Sequence, residues 1–569
     1  MTVFILGAGV MQIPAIRAAK GLGWTVVVAD ADPEAPGIDL ADFFLPVDLK
    51  DAEGLAAAAR GIRTEFGLDG VFTAGTDFSA SAAYIAVQLG LPGIPYEVAL
   101  AASDKLRMRS VLKAAGVASP RFVEAKSSSD LAAAAALGFP LVVKPADNMG
   151  ARGCRAVRDP SELEAAVAAA LPFSRSGRAI VEEYVEGPEF SIDALVDGDE
   201  ILIRGIADRH ISFDPYFVEL GHTMPSGAEP EIQAEVLRVF RLAVRALGIR
   251  SGAAKGDMKH CPSRGGAVVG EIAARLSGGY MSGWTYPYAS GIDVTREALL
   301  LSVGIPLSAA RQKWSGLPRD AEERGFAVDM GWASAERAFV SIPGKVASVE
   351  GCVEAERMPY VKQLFLRVGP GDAVVFPSNN VQKCGNVISQ APTREAAAEA
   401  AEAAARALII RLAPGYLETE AYLRGEGRPD SNADSSWPPF AFKVEGDAAL
   451  DLAAMPEYSA EAELGPDLPP FAPFARACEV EGADWSGRLF AASAELLRER
   501  ASKAHARSPR LVPAGRFWRA LARGGIQAGL YVLDTEAARN GSPPRAKADG
   551  TAAYDAAVAG TAGSKGGRG

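Results

Sequence analysis

Four short stretches in the first half of the chain constrain its fold more than any bulk property does. In chain order they read SDKLRMR (103–109), LVVKPADNMGARG (141–153), IVEEYVEGPEF (180–190) and VVGEIAARLSGG (268–279). Each places charged residues or glycines at the edge or in the middle of a regular element, where packing alone does not require them. One such stretch would mean little by itself. Their order and spacing together predict a single site held between two lobes.

The second stretch ends an apolar strand at Lys144 and continues into a loop that contains Gly150 and Gly153. Glycines lack the side chains that would keep a ligand away from backbone N–H groups, so such a loop suits a chain of phosphates. Lys105 supplies a second cation from a helix start that we expect Ser103 to cap. A surface hairpin and a solvated helix lysine are the alternative interpretations of these features taken alone.

The third stretch is typical of a connecting segment that holds a nucleotide. Backbone groups from Glu183 to Val185 are placed to bind adenine, and the carboxylate of Glu189 can accept two hydrogen bonds from ribose hydroxyls. A hairpin with exposed glutamates is the alternative, because glutamate is mostly exposed in proteins.

The fourth stretch places Glu271 in the middle of an apolar strand, where a carboxylate is costly unless it is paired or binds a metal. Asp257 lies on the expected neighbouring strand of a hairpin, so the two carboxylates can share Mg²⁺. Arg275 can then hold a carboxylate or phosphoryl group in bidentate fashion. A buried structural Glu–Arg pair is the alternative.

Together the four stretches resemble the ATP-grasp superfamily, and EIAAR at 271–275 resembles its carboxylate–amine ligase branch, which includes the L-amino acid ligases. The opening GAGVMQIPAIRAAKGLGWTVVVADADPEAPG is similar to the N-terminal domain of that branch, and residues 306–415 are similar to its C-terminal domain. The resemblance therefore covers residues 1–415.

The resemblance implies ATP and Mg²⁺ as cofactors, with Mn²⁺ as an alternative metal. The residues that it assigns are Lys105, Lys144, Gly150 and Gly153 around the phosphates, Glu182, Glu183 and Val185 at adenine, Glu189 at ribose, Asp257 and Glu271 at the metal, and Arg275 at the reacting phosphoryl group. Many relatives have Asn where this chain has Ala273, which leaves the number of metal ions open.

FVELGHTMPS at 217–226 resembles the segment near the substrate in such ligases. His222 would there stabilise the oxyanion that forms when an amine attacks an acyl phosphate, and a loop histidine with a structural hydrogen bond is the alternative. Gly279 stands where some relatives carry a bulky aromatic residue, which predicts a roomier acceptor pocket.

The activity that the resemblance implies is a ligase that joins a small carboxylate to a small amine through an acyl phosphate and releases ADP and phosphate. Two alternatives stay open: a bicarbonate-using carboxylase or carbamoyl-phosphate synthase-like enzyme, and a non-catalytic ATP-binding module. An NAD-dependent enzyme is the weakest interpretation. GAGVMQ and Asp30 match half of the dinucleotide fingerprint, but Gln12 replaces its third glycine.

The order of strand-like and helix-like segments along the chain predicts an α/β and α+β multidomain protein. The expected segments are a Rossmann-like domain at 1–102, a two-lobed ATP-grasp domain at 103–305 (glycine-rich-loop lobe 103–182, metal-site lobe 183–305), an α+β C-terminal domain at 306–415, an unassigned extension at 416–539 and a disordered tail at 540–569. Within the C-terminal domain, 338–351 and 363–376 are expected to form hairpins and 393–412 a long helix.

Composition limits the partners, the metal sites and the cellular location that we expect. The net charge of −11 argues against nucleic acid or an anionic membrane as a partner of the whole molecule. Five scattered cysteines without a CxxC pair fit reduced thiols and no zinc site. The N-terminus has the character of a buried strand rather than a signal peptide, and no apolar run is long enough to span a bilayer, so we expect a cytoplasmic protein.

The extension carries one further signal. A basic stretch at 498–523 contains Phe517, Trp518 and Leu521 and could dock an acidic protein partner or a membrane. The favoured alternatives are that it folds against the acidic segment 416–487 or forms a solvated face. Many ligases of the resembled type are dimers, which leaves a homodimer open.

Overall fold

A computed structural model describes residues 1–307, 331–426, 437–460, 480, 482–502, 511–512 and 514–539. Its contacts group the chain into two units, the first made of Met1–Glu336 with Ile388–Ala398 and the second of Arg337–Val387 with the described residues from Glu399 onward. The predicted tail at 540–569 lies outside the described residues.

The first unit begins with a parallel sheet of four strands, as the sequence predicts. The strands are β1 (Thr2–Leu6), β2 (Thr25–Ala29), β3 (Phe43–Leu45) and β4 (Gly70–Phe72), in the order β3-β2-β1-β4, and the helices are α1 (Ile13–Gly21), α2 (Ala52–Phe66), α3 (Ser79–Leu89) and α4 (Tyr96–Ser103). Alternate residues of β1 enter two different cores, one with α1 and one with α2. Burial on both faces explains why this strand is apolar throughout.

The residues that partly match the dinucleotide fingerprint make structural contacts inside this domain. The Gln12 amide donates to the Ala74 carbonyl (2.5 Å) and accepts from the Ala74 N–H (3.2 Å), while Asp30 accepts from the Ala8 N–H (2.8 Å). The Gln12 side chain also fills the space beside Gly7, where an added Cβ would lie 3.1 Å from Gln12 Cγ. These contacts occupy the groups that a dinucleotide would need, which argues against the NAD interpretation.

The first lobe of the next domain is an antiparallel sheet covered by two helices. Its strands are β5 (Phe122–Ala125), β6 (Leu141–Pro145), β7 (Arg155–Val157) and β8 (Ala179–Glu183), in the order β5-β8-β6-β7, with α6 (Leu131–Ala135) and α7 (Pro160–Ala170). The preceding helix α5 (Lys105–Ala114) is capped by Asp104, whose carboxylate accepts from the N–H groups of the first turn. The expected cap at Ser103 is wrong, because Ser103 is the last residue of α4.

The second lobe is formed by five antiparallel strands of a larger, eight-stranded sheet, and they present one apolar and one polar face. Its strands are β9 (Glu189–Asp197), β10 (Glu200–Ser212), β11 (Val218–Met224), β12 (Ser251–Cys261) and β13 (Gly266–Ala273), in the order β13-β12-β9-β10-β11, and its helices are α8 (Pro230–Leu247), α9 (Tyr286–Ser290) and α10 (Val294–Ser302). The apolar face packs on α8, with Phe190, Ile192, Met258 and Ile272 in one core with Phe240. The polar face is therefore turned away from α8.

The second unit contains most of the C-terminal elements. These are β15 (Gly344–Glu350), β16 (Val361–Leu366), β17 (Ala373–Val374), β19 (Ile409–Leu412), β20 (Ser459–Ala460) and β21 (Leu511–Val512), with α11 (Cys352–Arg357), α13 (Leu417–Arg424), α14 (Gly446–Ala454), α15 (Phe490–Ser502) and α16 (Gly515–Arg539), which is kinked at Gly524–Gly525. The boundary between the units falls inside β14 (Ala333–Phe339), β18 (Gly385–Ala391) and α12 (Arg394–Ala407).

Three expectations for this region are wrong. Strands β14 and β15 lie in different sheets rather than in one hairpin, since β15 pairs with β17 and β19. The hairpin expected at 363–376 does not form either, because β16 and β17 also lie in different sheets. The long helix expected at 393–412 ends at Ala407, and Ile409–Leu412 continues as β19 because its β-branched residues pair with β15.

The described part of the extension shares one core with residues 337–413. Phe517, Trp518 and Leu521 are buried in that core, and the Gln527 amide bonds to Ser341, Ile342 and Ile410. The basic stretch also pairs with the acidic segment, since Arg516 contacts Glu420 at 2.8 Å. The favoured sequence interpretation, in which these two segments fold together, is therefore confirmed for these residues. Within the described residues, no helix combines the length and apolarity needed to cross a bilayer.

Two leucine variants test this packing. Leu521→Ala removes a fully buried side chain and should lower the free energy of unfolding of the second unit by about 2–5 kcal/mol. Leu417→Ala makes the same chemical change at a side chain that is 79% exposed, and it should stay within about 0.5 kcal/mol of the wild type. Chemical denaturation of both variants measures the difference, and equal stabilities would contradict the assignment of 416–539 to this core.

Candidate active site

The polar face of the second lobe collects charged residues from five strands. The strand registers place Asp257 opposite both Ser191 and Glu271, Lys259 opposite Glu189, and Arg209 opposite both Glu189 and His222. Directly paired residues of antiparallel strands point to the same face. The side chains on this face are therefore Glu189, Ser191, Asp193, Arg209, His222, Lys255, Asp257, Lys259 and Glu271.

Asp257 and Glu271 are cross-strand neighbours, as the sequence predicts for the expected hairpin. Asp257 accepts from Lys255 and lies 3.4 Å from Arg209 Nε, while Glu271 lies 3.6 Å from Lys105 Nζ. Burial alone would raise the pKa of Glu271, but the nearby cations, Lys105 first, outweigh it and hold the pKa at about 2. Glu271 is thus ionised at neutral pH and available to a metal ion.

The carboxylate of Glu182 lies between two cations in the first lobe. It accepts from Lys144 Nζ at 2.7 Å and from Arg109 Nε at 2.6 Å, and both Glu182 and Arg109 are about 1% exposed. Burial would raise the pKa of Glu182, yet Arg109 and Lys144 lower it to about 2. Burial would also lower the pKa of Lys144, but the charge of Glu182 raises it above its ordinary value. Lys144 is therefore fixed in place as a cation.

Lys105 connects the glycine-rich loop with the carboxylate pair. Its Nζ donates to the Asn148 carbonyl at 2.6 Å and faces Glu271. Gly150 and Gly153 have φ of +70° and +68°, and a Cβ on Gly153 would lie 2.8 Å from the Phe173 ring, so this loop depends on glycine at 153 for both conformation and space. The loop contains the backbone N–H groups that the sequence assigns to phosphates.

Arg275 lies at the turn after β13 and is buried. Its guanidinium donates to the Leu276 carbonyl (2.8 Å) and contacts Met149 Sδ (3.3 Å), which brings it against the glycine-rich loop. Asp193 holds the same turn by accepting from the Ser277 N–H at 2.8 Å and from its hydroxyl. Burial raises the pKa of Asp193, against the opposing effect of these hydrogen bonds.

A second charged cluster contains Arg209 and His222. Arg209 bonds to Glu189 (2.9 Å) and Glu219 (2.8 Å), and His222 Nδ1 lies 2.7 Å from Glu336 while its Nε2 lies 3.5 Å from Glu219. Burial would lower the pKa of His222, but Glu219 and Glu336 raise it above its ordinary value. His222 is thus oriented by two carboxylates, which favour its protonated form.

The segment after β8 forms the apolar side of the cleft. Val185 packs with Cys261 and Val268, and its carbonyl accepts from Lys259 at 2.9 Å. The carboxylate of Glu183 instead pairs with Arg121 (2.8 Å) and Arg264 (2.7 Å), so any contact of Glu183 with adenine would use its backbone. Contacts thus link all the predicted site residues into one region, except the Glu183 side chain.

Several charged residues of this region are missing from the sequence predictions. Arg109, Arg209, Lys255, Glu219 and Glu336 each contact a predicted site residue. The signal for Lys255 was available, because AAKGDMKH alternates charged and small or apolar residues as a strand with one polar face does. Glu336 lies far along the chain, and no local pattern links it to His222.

The donor set fits ATP with a divalent cation. Mg²⁺ prefers oxygen ligands and usually combines one or two carboxylates with substrate phosphates. Asp257 and Glu271 meet that need, and Lys105, Lys144 and Arg275 supply fixed cations from both lobes for a polyanion. Ala273, next to this pair on β13, offers no further side-chain oxygen.

Acid titration tests the buried carboxylate. The pKa of Glu182 is lowered from 4.5 to about 2 on folding, so its stabilisation is complete above 4.5 and is lost as pH falls through that interval, by about 3 kcal/mol in all. Glu182→Gln should remove this acid dependence and cost about 3–5 kcal/mol at neutral pH by leaving two buried cations uncompensated. Glu186→Gln, at an exposed position on the same segment, is the control and should be nearly neutral. Unfolding curves at pH 2–7 measure both, and parallel curves for wild type and Glu182→Gln would contradict the assignment.

Three family models match the chain and together cover more than half of its 569 residues. The model of the ATP-grasp N-terminal domain matches residues 16–93, the ATP-grasp domain matches residues 137–282, and the L-amino acid ligase C-terminal domain 2 matches residues 338–413. The second range contains Lys144, Glu271 and Arg275.

Individual proteins agree with these models. An uncharacterized protein of Sinorhizobium fredii, y4rH, is 27% identical over 356 residues, which are 62% of this chain and 70% of that protein. Carnosine synthase 1 of Gallus gallus is 27% identical over 361 residues, 57% of this chain but only 38% of that protein. The crystal structure of an L-amino acid ligase from Bacillus licheniformis aligns with a TM-score of 0.62 at 23% identity, over 72% of this chain and 98% of that chain, and so shares the fold. The chain belongs to the ATP-grasp superfamily and carries an L-amino acid ligase C-terminal domain at residues 338–413.

Proposed function

We propose that this chain is an ATP- and Mg²⁺-dependent ligase that joins a carboxylate to an amine through an acyl phosphate and releases ADP and phosphate. The observation that carries the proposal is the convergence of cations from both lobes on one pair of carboxylates. Lys105 of α5 lies 3.6 Å from Glu271 of β13 and also bonds to the glycine-rich loop. An arrangement of this kind suits a nucleotide triphosphate with a divalent cation.

In the first step a substrate carboxylate oxygen attacks the γ-phosphorus, the bond to the β,γ-bridging oxygen breaks, and ADP leaves. Lys105, Lys144 and Arg275 stabilise the negative charge spread over the transferring group, since they are held in place before the substrate arrives. Asp257 and Glu271 would hold Mg²⁺, which when bound offsets charge on the phosphates. Val185 would line the adenine ring and Glu189 would bind ribose.

In the second step the amine nitrogen attacks the carbonyl carbon of the acyl phosphate, the bond from that carbon to the phosphate oxygen breaks, and the nitrogen loses one proton to the departing phosphate. Protonated His222 would donate to the oxyanion of the tetrahedral intermediate, with Glu336 fixing the imidazole through Nδ1. Closure of the glycine-rich loop would exclude water, which would otherwise hydrolyse the acyl phosphate.

The names of the relatives bear on the substrates. An L-amino acid ligase and a carnosine synthase both point to an amino acid as one reactant, so we propose amino acids as the first acids and amines to screen. A homodimer, a partner docked on residues 416–539 and a cytoplasmic location stay predictions. The burial of Phe517, Trp518 and Leu521 in the second unit leaves those three side chains unavailable to such a partner.

An ADP-release screen over pairs of amino acids and small acids tests the reaction. A competent pair should give ADP and phosphate in step with amide, and Lys144→Met should lower kcat by about 10²-fold or more because it removes a phosphate cation. Lys113→Met, at an exposed position of α5, is the matched control and should keep wild-type rates. AMP and pyrophosphate as products would refute the mechanism. Turnover that depends on bicarbonate alone would favour a carboxylase, and tight ATP binding without turnover would favour a binding module.

Hydroxylamine trapping tests the role of His222. His222→Gln should lower amide formation by about 10²-fold while ADP release in the presence of hydroxylamine stays near wild type, because acyl phosphate formation does not need the imidazole. Since Glu219 and Glu336 raise the pKa of His222, wild-type amide formation should be retained below that pKa and should fall as pH rises through it. Equal loss of both reactions in the variant would contradict this role.

A further inference from the structure

In the hairpin of β12 and β13, the cross-strand pair next to the two carboxylates consists of a cationic and an apolar residue. Asp257 is opposite Glu271, and two residues away on the same face Lys255 is opposite Ala273. Lys255 is also opposite Asp193 of β9. The first pair therefore offers two carboxylates. The next row offers the Lys255 ammonium group, the Ala273 methyl group and the Asp193 carboxylate, which already accepts hydrogen bonds from the Ser277 N–H and hydroxyl.

The backbone between these rows is fixed by packing. Gly256 separates Lys255 from Asp257, and a Cβ there would lie 2.5 Å from the Phe240 ring of α8. Helix α8 thus lies directly against this strand on the apolar face, and both charged side chains point the other way. Only 13% of the Lys255 side chain and 11% of the Asp257 side chain are exposed. The ammonium group is held in the site rather than in solvent.

Fixed cations already contact both oxygens of Asp257. Lys255 bonds to Oδ2, while Arg209 Nε approaches Oδ1 at 3.4 Å. Glu271 is the more open of the pair, with 28% of its side chain exposed. A single divalent cation can bind Glu271 and the remaining lone pairs of Asp257. Near residue 273 the alanine offers no ligand, the Asp193 carboxylate is already bonded to the Ser277 N–H and hydroxyl, and the positive charge of Lys255 would repel a second ion.

This inference rests on the proposed function. We propose that Lys255 replaces one metal ion, so that the site binds a single Mg²⁺ or Mn²⁺ per nucleotide, held by Asp257 and Glu271, with the Lys255 ammonium as a built-in second cation beside the phosphates. The charge that a second metal would bring is then permanently supplied by the chain. The number of metal ions, which the sequence leaves open, is one.

Counting bound Mn²⁺ tests this without any measurement of activity. The full-length protein with a non-hydrolysable ATP analogue, AMPPNP, is titrated with Mn²⁺ under equilibrium dialysis, and the complex is examined by electron paramagnetic resonance. The expected result is one Mn²⁺ per bound nucleotide and a spectrum without Mn–Mn coupling. Two Mn²⁺ per nucleotide, with the coupling of closely spaced ions, would overturn the inference.

Two variants separate the effect of the Lys255 ammonium group on the number of metal ions from the effect of the missing ligand at residue 273. Ala273→Asn adds an oxygen ligand but keeps Lys255, and it should still bind one Mn²⁺. The double variant Lys255→Thr with Ala273→Asn removes the fixed charge as well, and it should bind two coupled Mn²⁺ ions. Two ions in the single variant, or one ion in a folded double variant, would show that Lys255 does not set the number. If the double variant does not fold, the wild-type count still decides.

The same titration separates this inference from the proposed function. Calorimetric titration of the wild type with AMPPNP and Mn²⁺ establishes whether the nucleotide binds at all. Absence of binding contradicts both the proposed function and this inference. Binding with two metal ions contradicts this inference alone and leaves the ligase proposal in place.

Discussion

The buried carboxylate of Glu182 is the group on which the geometry of the site depends. It bonds to Lys144 within the first lobe and to Arg109 of α5, and Arg109 in turn donates to the carbonyl of Gly270, next to Glu271 in the second lobe. Any one of these charges would be costly to bury alone. Because they are buried together, Lys144 of one lobe and the strand that carries Glu271 in the other are joined through a single carboxylate.

In the second lobe, charged side chains are compensated across a whole face of the sheet. Its apolar side chains pack on α8, and the opposite face carries both signs of charge on neighbouring strands. Cross-strand pairing neutralises most of these charges in the protein itself, as Arg209 does for Glu189 and Glu219. A nucleotide with its metal ion can then exchange with contacts that already exist, so the side chains need little reorganisation when it binds.

The parts of this architecture that the sequence could predict are those written in local patterns. The strand ending at Lys144, the hairpin that sets Asp257 opposite Glu271, and the parallel N-terminal sheet all follow from apolar runs and turn residues. The errors occur where a neighbouring residue or a distant strand decides the outcome. Asp104 rather than Ser103 caps α5, and β-branched Ile409 and Ile410 leave the alanine-rich helix to pair with β15.

The partners of the site residues could not be predicted, because they depend on contacts between distant parts of the chain. From its local sequence, Glu182 is expected to be an exposed hairpin residue. It is a buried ion-pair partner because Arg109 of α5, far away in the sequence, contacts it. The same reasoning applies to residues 416–539. Their acidic and basic segments look solvent-exposed in composition, yet Arg516 pairs with Glu420, and Gln527 bonds to the backbone of Ile342 and Ile410. In these examples a charged residue lies where elements distant in the sequence contact each other. The local sequence shows the charged residue but does not show which residue it pairs with.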